Sequence, residues 1–250
     1  MKILSILNRY KKIGIFLFWI LFWELLALGV NKLQLFPTPV LVGKAVFRLI
    51  KTGSFYLIVG KTILRILMGF LLAVLTGVLL SILTYYSKLL KNLLAPFMTI
   101  IRSIPVVSFI ILALVFMGSD HTVILCSFLM VMPMIWSSME TGYKNVSKEQ
   151  MEMAQVFCLN RRDKLKYIYL PNAYSHLVNA LTTGLGFAWK SGIAAEVLGM
   201  PELSIGRELF YAKNTFDFVG VFAWTFVVIL LSLAMERLTR SLDKTLRNRL

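Results

Sequence analysis

Apolar residues fall in long runs along this chain, and polar residues gather in the gaps between them. The first run covers residues 13–30, about 18 positions, behind a basic start at 1–12. A hydrocarbon core takes roughly 20 apolar residues of helix to cross, so this run predicts a first membrane span. No small-residue cleavage pattern follows it, as a secretory signal would require. Further runs predict spans over about 58–84, 91–117, 121–140, 172–196 and 216–236. Between the first two lies "FPTPV", where Thr38 is placed to cap a helix and Pro39 to begin it. Beyond it Val42, Ala45, Val46, Leu49 and Ile50 share a stripe, with Lys44, Arg48 and Lys51 elsewhere. That spacing predicts an amphipathic helix over 39–52, ending near Gly53 and lying at the membrane interface. The expected fold is an all-α, polytopic membrane helical bundle of about six transmembrane helices. It forms one domain over 1–250, with its core spans within about 58–236. Pro96, Pro105 and Pro133 are expected to kink their spans.

Composition supports this reading. The chain is 58% hydrophobic and 16% charged, with a mean hydropathy of +0.76, where soluble domains carry about 25% charged residues. The unbroken runs differ from the short alternating segments of a membrane β-barrel. A net charge of +15 raises nucleic acid as a partner, but no basic cluster sits on a soluble segment of domain size. The excess belongs to alternate loops. Loops 1–12, 85–92, 141–171 and 237–250 hold 17 Lys and Arg, against 6 in loops 31–57, 118–120 and 197–215. The first set is therefore expected to face the cytoplasm, with both termini on that side.

Catalytic chemistry is not expected. Cys126, Cys158, His121 and His176 are isolated in sequence, so neither a disulfide framework nor a metal site is read from them. "GKT" at 60–62 lacks the glycine five residues upstream that a phosphate-binding loop needs; Phe55 stands there. No HExxH, GxSxG or paired-carboxylate pattern occurs.

One loop departs from the rest. "EMAQVFCLNRRDKLKYIYLP", residues 152–171, concentrates charge in an apolar chain. Just upstream, Ser147 and Gln150 have the spacing of a capping box. A short helix over 148–158 is expected, with Met151, Ala154, Phe157 and Cys158 on one apolar face and Asn160 ending it. A second short helix follows over 161–169, and Pro171 is expected to push Leu170 out of helical geometry before the next span. A solvated loop has no need of a capped helix with an apolar face. That face is expected to be buried on the bundle or on another protein.

Ionisable residues within spans are functional candidates. Arg102 falls roughly 15 Å along the third span and Lys190 about 9 Å beyond the middle of the fifth. Trp189, Gly192 and Glu196 share a face at i, i+3 and i+7. Lys190, Arg102, Trp189 and Glu196 are the candidates for a polar route; the competing role is an ion pair or a carbonyl contact between helices. Gly184, Gly186, Gly192 and Gly199 would let helices approach closely.

Glu152-Met153-Ala154, Cys158-Leu159-Asn160 and Ile168-x-Leu170-Pro171 resemble the "EAA…G…I-LP" loop of ABC importer permease subunits. Met153 departs from the second Ala of that pattern, and Cys158 stands where the family has Gly. The resemblance extends over roughly 13–245: "LFPTPV", "TILRILMGFLLAVLTG", "RSIPVVSFIILALVFMG" and "GFAWKSGIAAEVLG" are similar to segments of the sulfonate, taurine and nitrate branch. It implies that loop 141–171 carries a coupling helix that docks on a cytoplasmic ATPase. Glu152, Met153, Ala154, Phe157, Cys158, Leu159 and Arg161 would be its coupling residues. It further implies an extracytoplasmic substrate-binding protein, a second permease copy forming a homodimer, and a place in the bacterial cytoplasmic (inner) membrane. ATP and Mg would be bound by the partner ATPase, with no cofactor in this chain. A self-sufficient secondary transporter or channel is the alternative.

Overall fold

Ten helices and one π-helical turn make up the computed structural model, which describes residues 2–30 and 35–247. Parts of the loops counted for orientation, residues 1, 31–34 and 248–250, lie outside the described residues. The chain divides into two groups of contacts, 1–58 with 208–229, and 59–207 with 230–250.

In the first group, α1 (Lys2–Val30) precedes α2 (Pro39–Ile50). Thr38 caps α2, its Oγ1 accepting the Leu41 N–H at 3.4 Å. Of the expected stripe, Val42 and Val46 are buried, while Ile50 is exposed beside Val40 and Phe47. One apolar face of α2 therefore packs inward while a second stays exposed. Phe222 packs edge-on to Phe36 at 5.6 Å, and Phe55 stacks on Trp224 at 5.7 Å. These rings tie the start of α10 (Phe218–Arg247) to the segments around α2.

The second group is built on α3 (Gly53–Tyr86), α4 (Lys88–Ser103), α5 (Val106–Lys144) and α8 (Leu170–Gly199). Helix α8 runs along α5, with contacts close enough to dictate residue size. A Cβ on Gly142 of α5 would stand 2.4 Å from the Ala173 Cα of α8, and one on Gly192 of α8 would stand 2.5 Å from the Ile66 side chain of α3. Gly186, by contrast, has open space around it.

The expected spans over 91–117 and 121–140 are divided differently. Pro105 ends α4 outright: Ile104 before it is extended, with ψ 128°, as steric conflict with a following proline dictates. The expected break at 118–120 shrinks to a kink inside α5, because Gly118 alone turns the chain at φ +70°. Pro96 and Pro133 lie within α4 and α5.

Among the described residues, three helices are long and apolar enough to cross a membrane: Gly53–Tyr86, Val106–Lys144 and Phe218–Arg237. Segment Leu17–Val30 is apolar but shorter. Polar residues such as Asn172, His176, Asn179, Lys190 and Glu196 lower the hydropathy of α8. The described residues are thus all-helical, with three helices able to span a membrane.

Candidate functional site

The charged loop folds into α6 (Lys148–Val156), α7 (Arg161–Lys164) and a π-helical turn (Leu165–Tyr169) that runs into α8. The capping box forms in both directions. The Gln150 N–H donates to Ser147 Oγ at 3.2 Å, and the Ser147 N–H donates to Gln150 Oε1 at 3.3 Å. Glu149 in the same first turn has its carboxyl held below the usual range, by the hydrogen bond from its own backbone N–H and then by Ser147.

Helix α6 ends through a left-handed residue. Cys158 adopts φ +50°; its N–H donates to the Gln155 carbonyl at 3.0 Å, and the Leu159 N–H reaches back to Ala154 at 2.9 Å. This pair of bonds is a Schellman ending, where glycine is the usual residue because it carries no Cβ penalty. The bend expected of glycine is therefore made by Cys158 in a glycine-like conformation.

Two local expectations are corrected. Asn160 begins α7 rather than ending α6: its Oδ1 accepts the Asp163 N–H at 2.9 Å. Leu170 stays helical at φ −65°, ψ −44°. Pro171 is accommodated by widening the preceding turn to a π turn, in which the Leu170 N–H donates to the Leu165 carbonyl. The apolar face of α6 is divided, part of it packed on the bundle and part exposed. Ala154 is 1% exposed and Met151 partly buried, but Phe157 is 69% and Val156 80% exposed, and Cys158 is exposed too. Met153, Val156 and Phe157 project from the bundle with Glu152 and Arg161 exposed nearby in sequence; Leu159 is partly covered.

The inner side of this loop is fastened to the bundle. Asn172 Nδ2 donates to Gln150 Oε1 at 3.1 Å and to the Ile168 carbonyl at 2.8 Å. The Tyr169 hydroxyl donates to Met151 Sδ at 3.6 Å. Tyr169 packs on Tyr85 of α3 at 4.9 Å and edge-on to Tyr143 of α5 at 5.9 Å. Leu165 joins Met139, Tyr143 and Ala173 in a buried cluster, and Tyr85 donates to the Arg161 carbonyl at 3.3 Å. Close by, Glu140 of α5 accepts from Thr84 Oγ1 of α3 at 2.8 Å and pairs with Lys91 of α4. A movement of α6 is thus connected to α3, α5 and α8 together.

The other candidates separate. Glu196 is fully buried, as are Trp189 and Gly192 of the same face. Its Oε2 accepts from Thr62 Oγ1 at 2.9 Å and from the Gly206 N–H at 3.2 Å; Arg65 Nη1 lies 3.5 Å from Oε1. Arg65 also donates to Asp120 at 2.7 Å through Nε and to the Glu202 carbonyl at 2.7 Å through Nη2. This network joins α3, α5, the end of α8 and the start of α9 (Ile205–Asn214). Sequence reading missed Arg65, although an arginine in an apolar run is itself the signal. Arg102 donates to the Pro133 carbonyl. Lys190 is exposed, and with Trp189 it lines a cavity of about 310 Å³.

Residues 65–248 match the family model described as "Binding-protein-dependent transport system inner membrane component". The chain belongs to this family. It is the permease subunit of an ABC importer, and membership sets aside a self-sufficient secondary transporter or channel. The permease is 26% identical over 232 residues to a Methanocaldococcus jannaschii protein provisionally named as an ABC transporter permease, covering 90% of this chain and 86% of the relative. It is 27% identical over 163 residues to the taurine transport system permease protein of Escherichia coli, covering 62% and 58%. A riboflavin transport system permease protein of Chloroflexus aurantiacus is 27% identical over 212 residues, covering 84% and 78%. In fold, the permease is similar to a chain of the crystal structure of an amino acid ABC transporter with histidines. The TM-score is 0.63 at 16% identity, over 78% of this chain and 94% of that one. A chain of the inward-facing MetNI methionine ABC transporter gives 0.54 at 19% identity, over 74% and 93%.

Proposed function

We propose that this permease carries a small polar solute across the bacterial inner membrane, driven by a separate ATPase that docks on α6. The observation that carries the reading is the two-sided construction of α6. Gln150, Met151 and Ala154 fix it to the bundle, while Met153, Val156 and Phe157 are left exposed on a loop rich in cations. Apolar side chains exposed beside charged groups mark a docking surface. ATP closure of the ATPase dimer moves α6, and the Tyr85–Tyr143–Tyr169 contacts pass that movement to α3, α5 and α8. The bundle then exchanges inward and outward openings, a two-state equilibrium biased by nucleotide. Hydrolysis belongs to the ATPase, with its ATP and Mg.

The remaining partners follow from the family: a second permease copy as a homodimer, and an extracytoplasmic binding protein that selects the solute. The excess of Lys and Arg in loop 141–171 and its companions supports a cytoplasmic position for α6 and for both ends of the chain. The relatives named for taurine and riboflavin transport differ in solute, so the solute of this permease is read from binding measurements on its binding protein. Co-purification tests the docking. The permease should carry its ATPase through detergent purification, and Val156→Glu should abolish the complex while leaving the permease monodisperse. An intact complex with Val156→Glu rejects α6 as the docking element.

A further inference from the structure

A cavity of about 640 Å³ lies between α2, α9 and the start of α10, within the usual range for ligand pockets. Its lining is of two kinds. Arg48 of α2, Glu208 of α9 and Asp217, just before α10, border it with charge, while Leu41, Leu49 and Trp224 border it with apolar surface. The segment Phe218–Arg237 of α10 is long and apolar enough to cross a membrane. Asp217 and Trp224 stand two helical turns apart along it, about 10 Å. The cavity thus runs from the charged start of a spanning helix toward its apolar interior, over the depth at which a bilayer passes from headgroup to acyl chain.

The charged groups are held apart around this space. Arg48 and Glu208 border it without pairing with each other or with another charged side chain among the described residues. Lys51, one turn on from Arg48, instead lies over the Phe47 ring, 4.4 Å from its centroid. Asp217 Oδ1 accepts the Gly220 N–H at 2.9 Å, which fixes the carboxylate at the start of α10. A Cβ on Gly220 would stand 2.4 Å from Asp217 Oδ2, so glycine at 220 keeps the carboxylate where it is. One guanidinium and two carboxylates set around a cavity match a guest that carries both charges, a phosphate for the first and an ammonium for the others. The same ratio opposes a guest with negative charge alone. A protein loop supplies such charges too, but the apolar continuation along a spanning helix, beside Val40 and Phe47 exposed on α2, suits an acyl chain.

We propose that this cavity binds an aminophospholipid of the phosphatidylethanolamine type, with its phosphate on Arg48, its ammonium between Glu208 and Asp217, and an acyl chain over Leu41 and Leu49. The site shares no residue with the ATPase-docking loop, and it adds lipid recognition to the permease.

Native mass spectrometry of the full-length permease tests it, with phosphatidylethanolamine, phosphatidylcholine and phosphatidylglycerol of identical acyl chains added in turn. One phosphatidylethanolamine should be retained in preference to the other two, because the carboxylates accept hydrogen bonds from a primary ammonium and repel an anionic head. Glu208→Gln should weaken it about fivefold and leave phosphatidylglycerol no weaker, whereas Arg48→Gln should weaken both. Equal retention of the three lipids, or phosphatidylethanolamine binding unchanged in both variants, overturns the proposal. So does soluble glycerophosphoethanolamine binding as tightly as the lipid, since the acyl chain would then contribute nothing. A second measurement places the photo-crosslinker benzoylphenylalanine at Leu41 in native membranes. A phospholipid adduct supports the lipid site, and an adduct with protein alone overturns it.

Discussion

The Leu159 N–H donates to the Ala154 carbonyl at 2.9 Å, closing α6 over a left-handed Cys158. A residue with a Cβ in this conformation is strained by about 1–2 kcal/mol. Cys158→Gly should therefore stabilise the loop by about 1 kcal/mol, and Cys158→Val should destabilise it by at least as much. Hydrogen exchange across 148–160 reads both changes.

The Gln150–Asn172 hydrogen bond of 3.1 Å joins α6 to α8. Gln150→Ala and Asn172→Ala should each raise amide exchange in α6. A double-mutant cycle should give a coupling of about 0.5–1.5 kcal/mol. Additive effects would show that the two residues act separately.

Glu196 and Arg65 offer a larger effect. Arg65→Met leaves a buried carboxylate without its cation and should cost about 3–5 kcal/mol, read as a lowered unfolding temperature in nanodiscs. Arg65→Met combined with Glu196→Gln should recover part of that loss, because the orphaned charge is gone.

Glu149 sets a pH dependence. Its folded pKa lies below the ordinary 4.5, so its support of α6 is present in full above that value. The support is lost as pH falls through the folded pKa. Protection of α6 should weaken on acidification from pH 5 to pH 3, and Glu149→Gln should flatten this dependence.

Local signals were the readable ones. Thr38, Ser147 and Gln150 each announce a helix start by spacing alone, and each forms its bond. Asn160 was misread because asparagine suits either end of a helix, and only its side-chain bond to Asp163 assigns it to α7. The π turn before Pro171 has no sequence mark, since proline ordinarily breaks the pattern. The Glu196 network was hidden for another reason. Its partners Thr62 and Arg65 lie 134 and 131 residues away, and apolar periodicity around Arg65 masks a single charge. Helix α9 escaped because a short polar helix in a loop lacks an apolar run.

The central claim is that the outward side of α6 is the surface an ATPase grips. Cross-linking tests it directly: Val156→Cys in a Cys158→Ser background, oxidised in membranes containing the candidate ATPase with cysteines in its groove. The account predicts a permease–ATPase adduct at position 156 whose yield changes when ATP is added. It also predicts no adduct from a cysteine placed at exposed Leu89 on α4. An adduct from Leu89→Cys with none from Val156→Cys would contradict it.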